Sequence, residues 1–318
     1  MKKNVVVFGG GNGTAIALEA LKFVAGDFDI SGIIAMSDSG GSSGLLRQEF
    51  KTVPPGDILR AMLALSKYDY KLLRQVFYKT RFDNVGDKLN KHNLGNLFLI
   101  LAGQRQQDFA LAVRALEQSL ETVGHVYPAT LIPNDLCAQL SNGEIIKTES
   151  EIDTPTYDRS LRVKKVWLEP AVSAYPGAIE VIKKADYIIL SPGSLYTSVV
   201  ASLLPSGIKE AIDNNHQAKI IYVAGSAYRT AGETGPTKLS EFVGELEQYL
   251  PRPIDLTIYS KHRLNKFQEK IYAEKKWAAF EQDADKLPAD RVYGKNFQEK
   301  NGGLCSKKLS KILKKILK

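Results

Sequence analysis

Two habits of hydrophobic spacing alternate along the chain. Short runs of consecutive apolar residues end in glycine, serine or aspartate, and longer stretches repeat apolar residues every three or four positions. The first run, Val5-Val6-Val7-Phe8, predicts a short buried strand. It leads into Gly9, Gly10, Gly11, Asn12, Gly13 and Thr14, then into residues 15–21, which are helical in composition. A second strand is predicted over 30–36, followed by Ser37, Asp38, Ser39, Gly40, Gly41, Ser42, Ser43 and Gly44, a polar loop at a strand's carboxyl end. Pro54-Pro55-Gly56 stops any helix, and Asp57 is the expected N-cap of a helix starting at Ile58. Residues 68–82, with Leu72, Leu73, Val76 and Phe77 apolar, 97–102 and 108–120 predict further helices. That run is too long for simple strand–helix alternation and predicts a helical subregion above the sheet.

From Tyr127 the period changes. Strands are expected over 129–132, 136–140, 145–147 and 163–168, with Asn142-Gly143 as a hairpin turn. This section reads as an antiparallel insertion. Alternation then returns: helix 178–185, strand 187–190, a small-residue turn over 191–198, a helix from Val199, and strand 220–223. A helix capped by Ser240, a strand over 254–259, a helix over 266–274 and a last short strand over 277–280 follow. The tail has apolar residues at 309, 312, 313, 316 and 317 with lysines opposite, an amphipathic helix expected to pack on the body. The expected organisation is one α/β domain over 1–303 with a basic helix over 304–318.

Composition narrows the class without changing that outline. The chain has 318 residues, 44% hydrophobic and 25% charged, which is ordinary for a globular protein. Cys137 and Cys305 have neither metal-ligand spacing nor a disulfide framework, which fits a reducing cytoplasm. Met1-Lys2-Lys3 leads straight into a strand, so neither a signal peptide nor a membrane span is expected. Net charge is +8, but six lysines and no acid lie between 307 and 318, leaving +2 for the rest (8 − 6 = 2). That argues against a nucleic-acid-binding body.

The candidate chemistry lies in three glycine- and hydroxyl-rich loops, 9–14, 37–44 and 191–198. In a parallel sheet they converge and offer N–H donors and hydroxyls suited to phosphate. Thr14 stands at the third glycine position of the dinucleotide fingerprint, and no Gly-Lys-Ser/Thr of a Walker A loop follows. Asp38 and Asp57 suit Mg²⁺, which takes few protein ligands. They serve equally well as a loop hydrogen-bond acceptor and a helix cap. His92, His125, His216 and His262 are scattered and make no zinc set; His92, beside Asn93 and Asn96, reads as a surface or capping residue. Gly193-Ser194 lacks the surrounding pattern of a hydrolase nucleophile turn. A dinucleotide-dependent oxidoreductase stays open, with Asp38 as its ribose-binding acid, but no hydride-transfer machinery is visible.

Six segments occur in a familiar order: residues 9–14, 37–44, Pro54-Pro55-Gly56-Asp57, His92-Asn93-Leu94-Gly95-Asn96-Leu97, Ser191-Pro192-Gly193-Ser194-Leu195-Tyr196-Thr197-Ser198 and Gly232-Glu233-Thr234. Together they resemble the bacterial gluconeogenesis-factor proteins, relatives of the archaeal 2-phospho-L-lactate transferases, over about residues 3–250. The resemblance implies a three-layer α/β/α Rossmann-like fold in a cytoplasmic, self-associating protein. It also implies that the protein binds a nucleotide sugar such as UDP-N-acetylglucosamine and acts in cell shape and carbon metabolism. The transferase branch implies a Mg²⁺-dependent transfer of a phospholactyl group from a nucleotide diphosphate donor, with Asp38 and Asp57 catalytic and metal-binding. The binding residues it implies are Gly9, Gly10, Gly11, Asn12, Gly13, Thr14, Ser39, Gly40, Gly41, Ser42, Ser43 and Asn96, then Gly193, Ser194, Leu195, Tyr196, Thr197 and Tyr272. Beyond Mg²⁺ no cofactor is required. The sequence departs from the family at Ser39, where a second Asp is usual, and at Leu59, where Arg is frequent. Gly303-Leu304-Cys305 stands where an Arg-His-Asp segment is usual.

Overall fold

The structure is a computed structural model and describes residues 2–83, 89–106 and 108–318. Among the described residues twelve strands are formed: β1 (Lys3–Gly9), β2 (Phe28–Ile34), β3 (His125–Pro128), β4 (Asp135–Leu140), β5 (Ile145–Lys147), β6 (Val163–Glu169), β7 (Tyr187–Leu190), β8 (Lys219–Val223), β9 (Ala227–Arg229), β10 (Leu256–Tyr259), β11 (Trp277–Ala279) and β12 (Val292–Gly294). Seven of them make one sheet in the order β12-β10-β8-β7-β1-β2-β3. Every pairing in it is parallel. The chain winds outward from β1 to one side, then returns and winds outward to the other. The turning point lies between β1 and β7, where open sheets of this kind bind ligands.

Successive side chains of a strand point to opposite faces, so a sheet covered on both sides needs apolar residues at nearly every position. Val5 to Phe8 and Tyr187 to Leu190 meet that need. Val6, Phe8, Ile188 and Leu190 enter one core, and Val5, Val7, Tyr187 and Ile189 enter the other. The second core holds α1 (Gly11–Lys22) and α3 (Gly56–Leu65), with α2 (Gly41–Phe50) between them in sequence. Leu309, Ile312 and Leu313 of the terminal helix Ser306–Ile316, with Leu317 just after it, are buried in the same core, and this helix packs against α1. The result is the expected α/β fold with helices on both faces.

The expected insertion is present as a separate antiparallel sheet, β5-β4-β6, with Gly143 at φ +90° in the turn. Several boundaries need correction. The strand expected over 129–132 is β3, earlier in sequence, and it joins the parallel sheet beside β2 rather than the insertion. The polar loop after β2 is shorter than expected, because residues 41–50 form α2 despite two glycines and two serines. The helix expected from Val199 begins at Leu195 as a π-helical turn. Asp57 is not the N-cap of α3: Pro55 is, and Asp57 lies in the first turn. Ser240 likewise sits inside the helix Leu239–Glu247 and donates to Asp283 instead of capping. Two strands with too few apolar residues to signal themselves, β9 and β12, were not foreseen.

The helical subregion between β2 and β3 is less regular. One turn, Tyr70–Leu73, passes into the π-helical stretch Arg74–Lys79, and the helices Leu94–Gln106 and Phe109–Ser119 follow. Leu73 and Phe77 face the core as their spacing predicts, but Leu72 and Val76 are exposed.

Candidate functional site

The loops after β1, β2 and β7 meet above the turning point of the sheet. Gly10 and Gly40, the N-cap residues of α1 and α2, provide no side-chain cap, so both helices present main-chain N–H groups and a positive end to this region. The first loop is tighter than a plain turn. Gly11 has φ +67°, and helix α1 already includes Gly11, Asn12, Gly13 and Thr14. A Cβ on Gly13 would lie 1.8 Å from the Pro192 carbonyl oxygen, so this glycine lets the first and third loops touch main chain to main chain. The Thr14 and Ser191 hydroxyls, 2.7 Å apart, bolt the same junction, and Thr14 also donates to the Gly10 carbonyl.

Each helical start at this junction holds a carboxylate. Asp57 Oδ2 accepts the Gly11 N–H at 2.8 Å, and its Oδ1 pairs with Arg60 Nη1 at 3.3 Å. On the β7 side, Glu233 accepts the N–H groups of Leu195, Tyr196 (3.1 Å) and Thr197 (3.2 Å). Burial raises the Glu233 carboxyl to about 7, and those three N–H groups hold it from rising further. The side chains of Leu195 and Tyr196 are themselves core residues; the Tyr196 hydroxyl donates to Glu245. At 195–197 the expected phosphate contacts are therefore main-chain groups that Glu233 already engages. Glu233 and Gly193-Ser194 also line a cavity of about 210 Å³, with Tyr222, Trp277 and Phe280 as aromatic walls.

The second loop adds more acid. Asp38 accepts the Gly40 N–H at 2.9 Å, and burial together with the nearby Asp57 pushes it up to about 6. Glu149, from the insertion, accepts the Ser39 N–H at 3.3 Å, and Ser39 is further tied to Ser150. Burial, then Asp38 and Asp153, push Glu149 up to about 8. Glu149 stands close to where the usual second Asp is replaced by Ser39, a link between distant segments that sequence alone does not show. Oxygen donors of this kind fit magnesium, which keeps waters and shares phosphate oxygens. Among the described residues, no group of three or more His, Cys, Asp or Glu side chains is arranged to hold a metal.

Ser42 Oγ lies 2.8 Å from His92 Nδ1 and accepts from the Asn96 amide at 3.3 Å. His92 is 3% exposed, so the expected surface histidine is a buried one, and burial lowers its pKa. Asn93, not His92, caps the following helix, through the Asn96 N–H. Gly41 and Ser43 complete this corner. Tyr272 lies apart from the glycine loops, at the loop after β8 behind the Trp277 wall of the cavity. It is 3% exposed, bonds Ser226 at 3.2 Å, stacks edge-on against Trp277, and lies under Gly302.

Comparison with known proteins fits this geometry. A family profile described as "2-phospho-L-lactate transferase CofD" matches residues 5–297. The chain belongs to the CofD family. It is 36% identical to the gluconeogenesis factor of Halalkalibacterium halodurans, over 87% of each chain. It is 37% identical to that of Bacillus subtilis, over 78% of this chain and 75% of the relative. The crystal structure of a UPF0052-family protein from Bacillus halodurans superposes with a TM-score of 0.88 at 32% identity, covering 98% of this chain and 99% of the other. Within the CofD family the chain thus groups with the gluconeogenesis factors. Its departure at Leu59 has a local explanation: Leu59 is fully buried against Gly95, and the cation beside Asp57 comes from the next residue, Arg60.

Proposed function

We propose that this protein binds a nucleotide-linked diphosphate of the nucleotide-sugar class, UDP-N-acetylglucosamine being the type, and acts as a regulator of carbon metabolism and cell shape. The observation that carries the reading is the Gly13–Pro192 junction, which sets the start of α1, a helix its own N-cap glycine does not cap, beside the 193–194 turn at the sheet's turning point. Phosphate groups suit such a place because aligned N–H groups and helix dipoles favour negative charge. The aromatic cavity beside Ser194 has room for a flat ring. The gluconeogenesis factors among its relatives support the regulatory role. No helix of the described residues is long and apolar enough to cross a membrane.

A second reading, transfer of a phospholactyl group from a nucleotide diphosphate donor, is favoured by the raised Asp38 carboxyl and by the family's description. Asp38 and Asp57 would hold Mg²⁺ in that case, and the ion would supply charge neutralisation on phosphate oxygens. Thermal-shift measurements with UDP-N-acetylglucosamine, UDP and GDP, each with Mg²⁺ and with EDTA, separate the readings. A ligand at 100 times its Kd adds about 2.7 kcal/mol to the folded state. A shift with UDP-N-acetylglucosamine in EDTA supports the binding protein. A shift confined to GDP with Mg²⁺ supports the transferase. No shift with any of them removes both.

A further inference from the structure

Three arginines gather on one tyrosine at the edge of the glycine loop. The guanidinium carbons of Arg60, Arg74 and Arg81 lie 4.6, 6.0 and 5.7 Å from the centroid of the Tyr78 ring. Arg60 comes from α3, and the other two come from the irregular stretch over 74–81. Guanidinium groups stay charged at any physiological pH, so such a cluster repels itself unless anions meet it. A tyrosine face relieves part of that repulsion through its ring quadrupole.

The chain supplies little more. Asp57 pairs with Arg60, which also donates to the Tyr78 hydroxyl. Arg74 donates to Asn12 Oδ1 at 3.1 Å and has no ion-pair partner among the described residues. Arg81 donates to the Lys91 carbonyl at 3.2 Å. The Nε atoms of Arg60 and Arg74 are buried without any acceptor. Buried donors left unpaired are costly, and a ligand oxygen is the simplest partner for them. The position is also right: Arg74 holds Asn12 in the first turn of α1, and Arg60 Nη1 lies 3.5 Å from where a Gly11 Cβ would stand.

We propose that Arg60, Arg74 and Arg81, assembled on Tyr78, are a cationic clamp for a phosphate group of the ligand. This rests on the phosphate reading of the site and changes where its charge is met. Asp57 and Glu233 already take the Gly11 and 195–197 amides, so the helical subregion, not the β7 loop, carries the cations. The forked, planar guanidinium matches phosphate oxygens in pairs.

The test is calorimetric titration of the full chain with inorganic pyrophosphate and with UDP, in wild type and in Arg74→Gln and Arg81→Gln. Losing a charge-assisted hydrogen bond weakens binding by about tenfold or more, and the clamp predicts that loss for both probes in both variants. Should a Gln variant fail to fold, Arg→Lys at that position keeps the charge but loses the fork, and a loss smaller than that of Gln is then expected. Wild-type binding of UDP that both variants retain in full overturns the clamp and leaves the phosphate reading standing. No binding of either probe by the wild type overturns both.

Discussion

The two walls of the site solve one problem in different ways. On the β1 side, Asp57 takes the amide at the start of α1 and is balanced by the Arg60 guanidinium. On the β7 side, Glu233 takes three amides and, among the described residues, has only N–H dipoles to balance it, so burial leaves its carboxyl at about 7. A full counter-charge, Arg60, stands against the first carboxylate. Dipoles alone leave the second poised to gain or lose a proton near pH 7. The same loop chemistry thus meets one acid with a cation and the other with N–H groups.

Separating the walls should have the largest effect. Gly13→Ala puts a methyl group onto the Pro192 carbonyl, which is main chain and has little freedom to retreat. Overpacking a core costs about 1–3 kcal/mol, occasionally more, and this change should exceed that range. Thermal unfolding is the measure; a Tm within a degree of wild type would mean the two loops do not touch as described. Asp57→Asn comes next. Asn still accepts the Gly11 N–H, but Arg60 loses its charge partner, for a loss of about 2–3 kcal/mol, below the ~3–5 of a broken buried pair. Denaturant unfolding at pH 7 checks this, and an unchanged midpoint would show that Arg60 is already balanced by something else.

Glu233→Gln should have the smallest effect and one that depends on pH. The folded-state pKa of Glu233, about 7, lies above its ordinary value of 4.5. Between those values the unfolded chain holds fewer protons than the folded one, so this group makes stability fall as pH rises from 4.5 to 7. Gln removes that slope. Its carbonyl oxygen keeps part of the amide bonding, so the variant should match or fall slightly below wild type at pH 5. At pH 8 it should gain relative to wild type. Each kcal/mol appears as a Tm change of about 2–4 °C. A wild-type minus variant difference that is the same at both pH values would mean Glu233 ionises like a surface carboxylate.

Legibility in the sequence followed the range of the interaction. Val5 to Phe8 declare a buried strand because four neighbours suffice to say so, and the glycine and serine loops at strand ends were plain for the same reason. Glu233 was visible only as part of a Gly-Glu-Thr segment. Nothing local says that its carboxylate reaches residues 195–197, because the link is tertiary. His92 failed similarly: a histidine between lysine and asparagine looks exposed until Ser42 arrives from fifty residues away. Arg60, Arg74 and Arg81 were missed because their spacing follows no motif and their common partner, Tyr78, sits in a π-helical turn. Leu72 and Val76 fit a helical stripe but lie on the outer side of that element, and the neighbouring pair Leu73 and Phe77 takes the core side.

The order of the strands also sets a timetable for assembly. Val5 pairs with Tyr187, 182 positions later (187 − 5 = 182), and the Gly13 junction waits on Pro192. At synthesis rates of about 5–20 residues per second, one edge of the first strand stays unpaired for roughly 10–40 s on the ribosome. Contacts this distant along the chain also slow refolding of the complete protein. The Gly13 junction therefore cannot form until more than half of the chain has been made, and its glycine loop spends that interval attached to an exposed apolar strand that a chaperone or a second nascent chain can reach first.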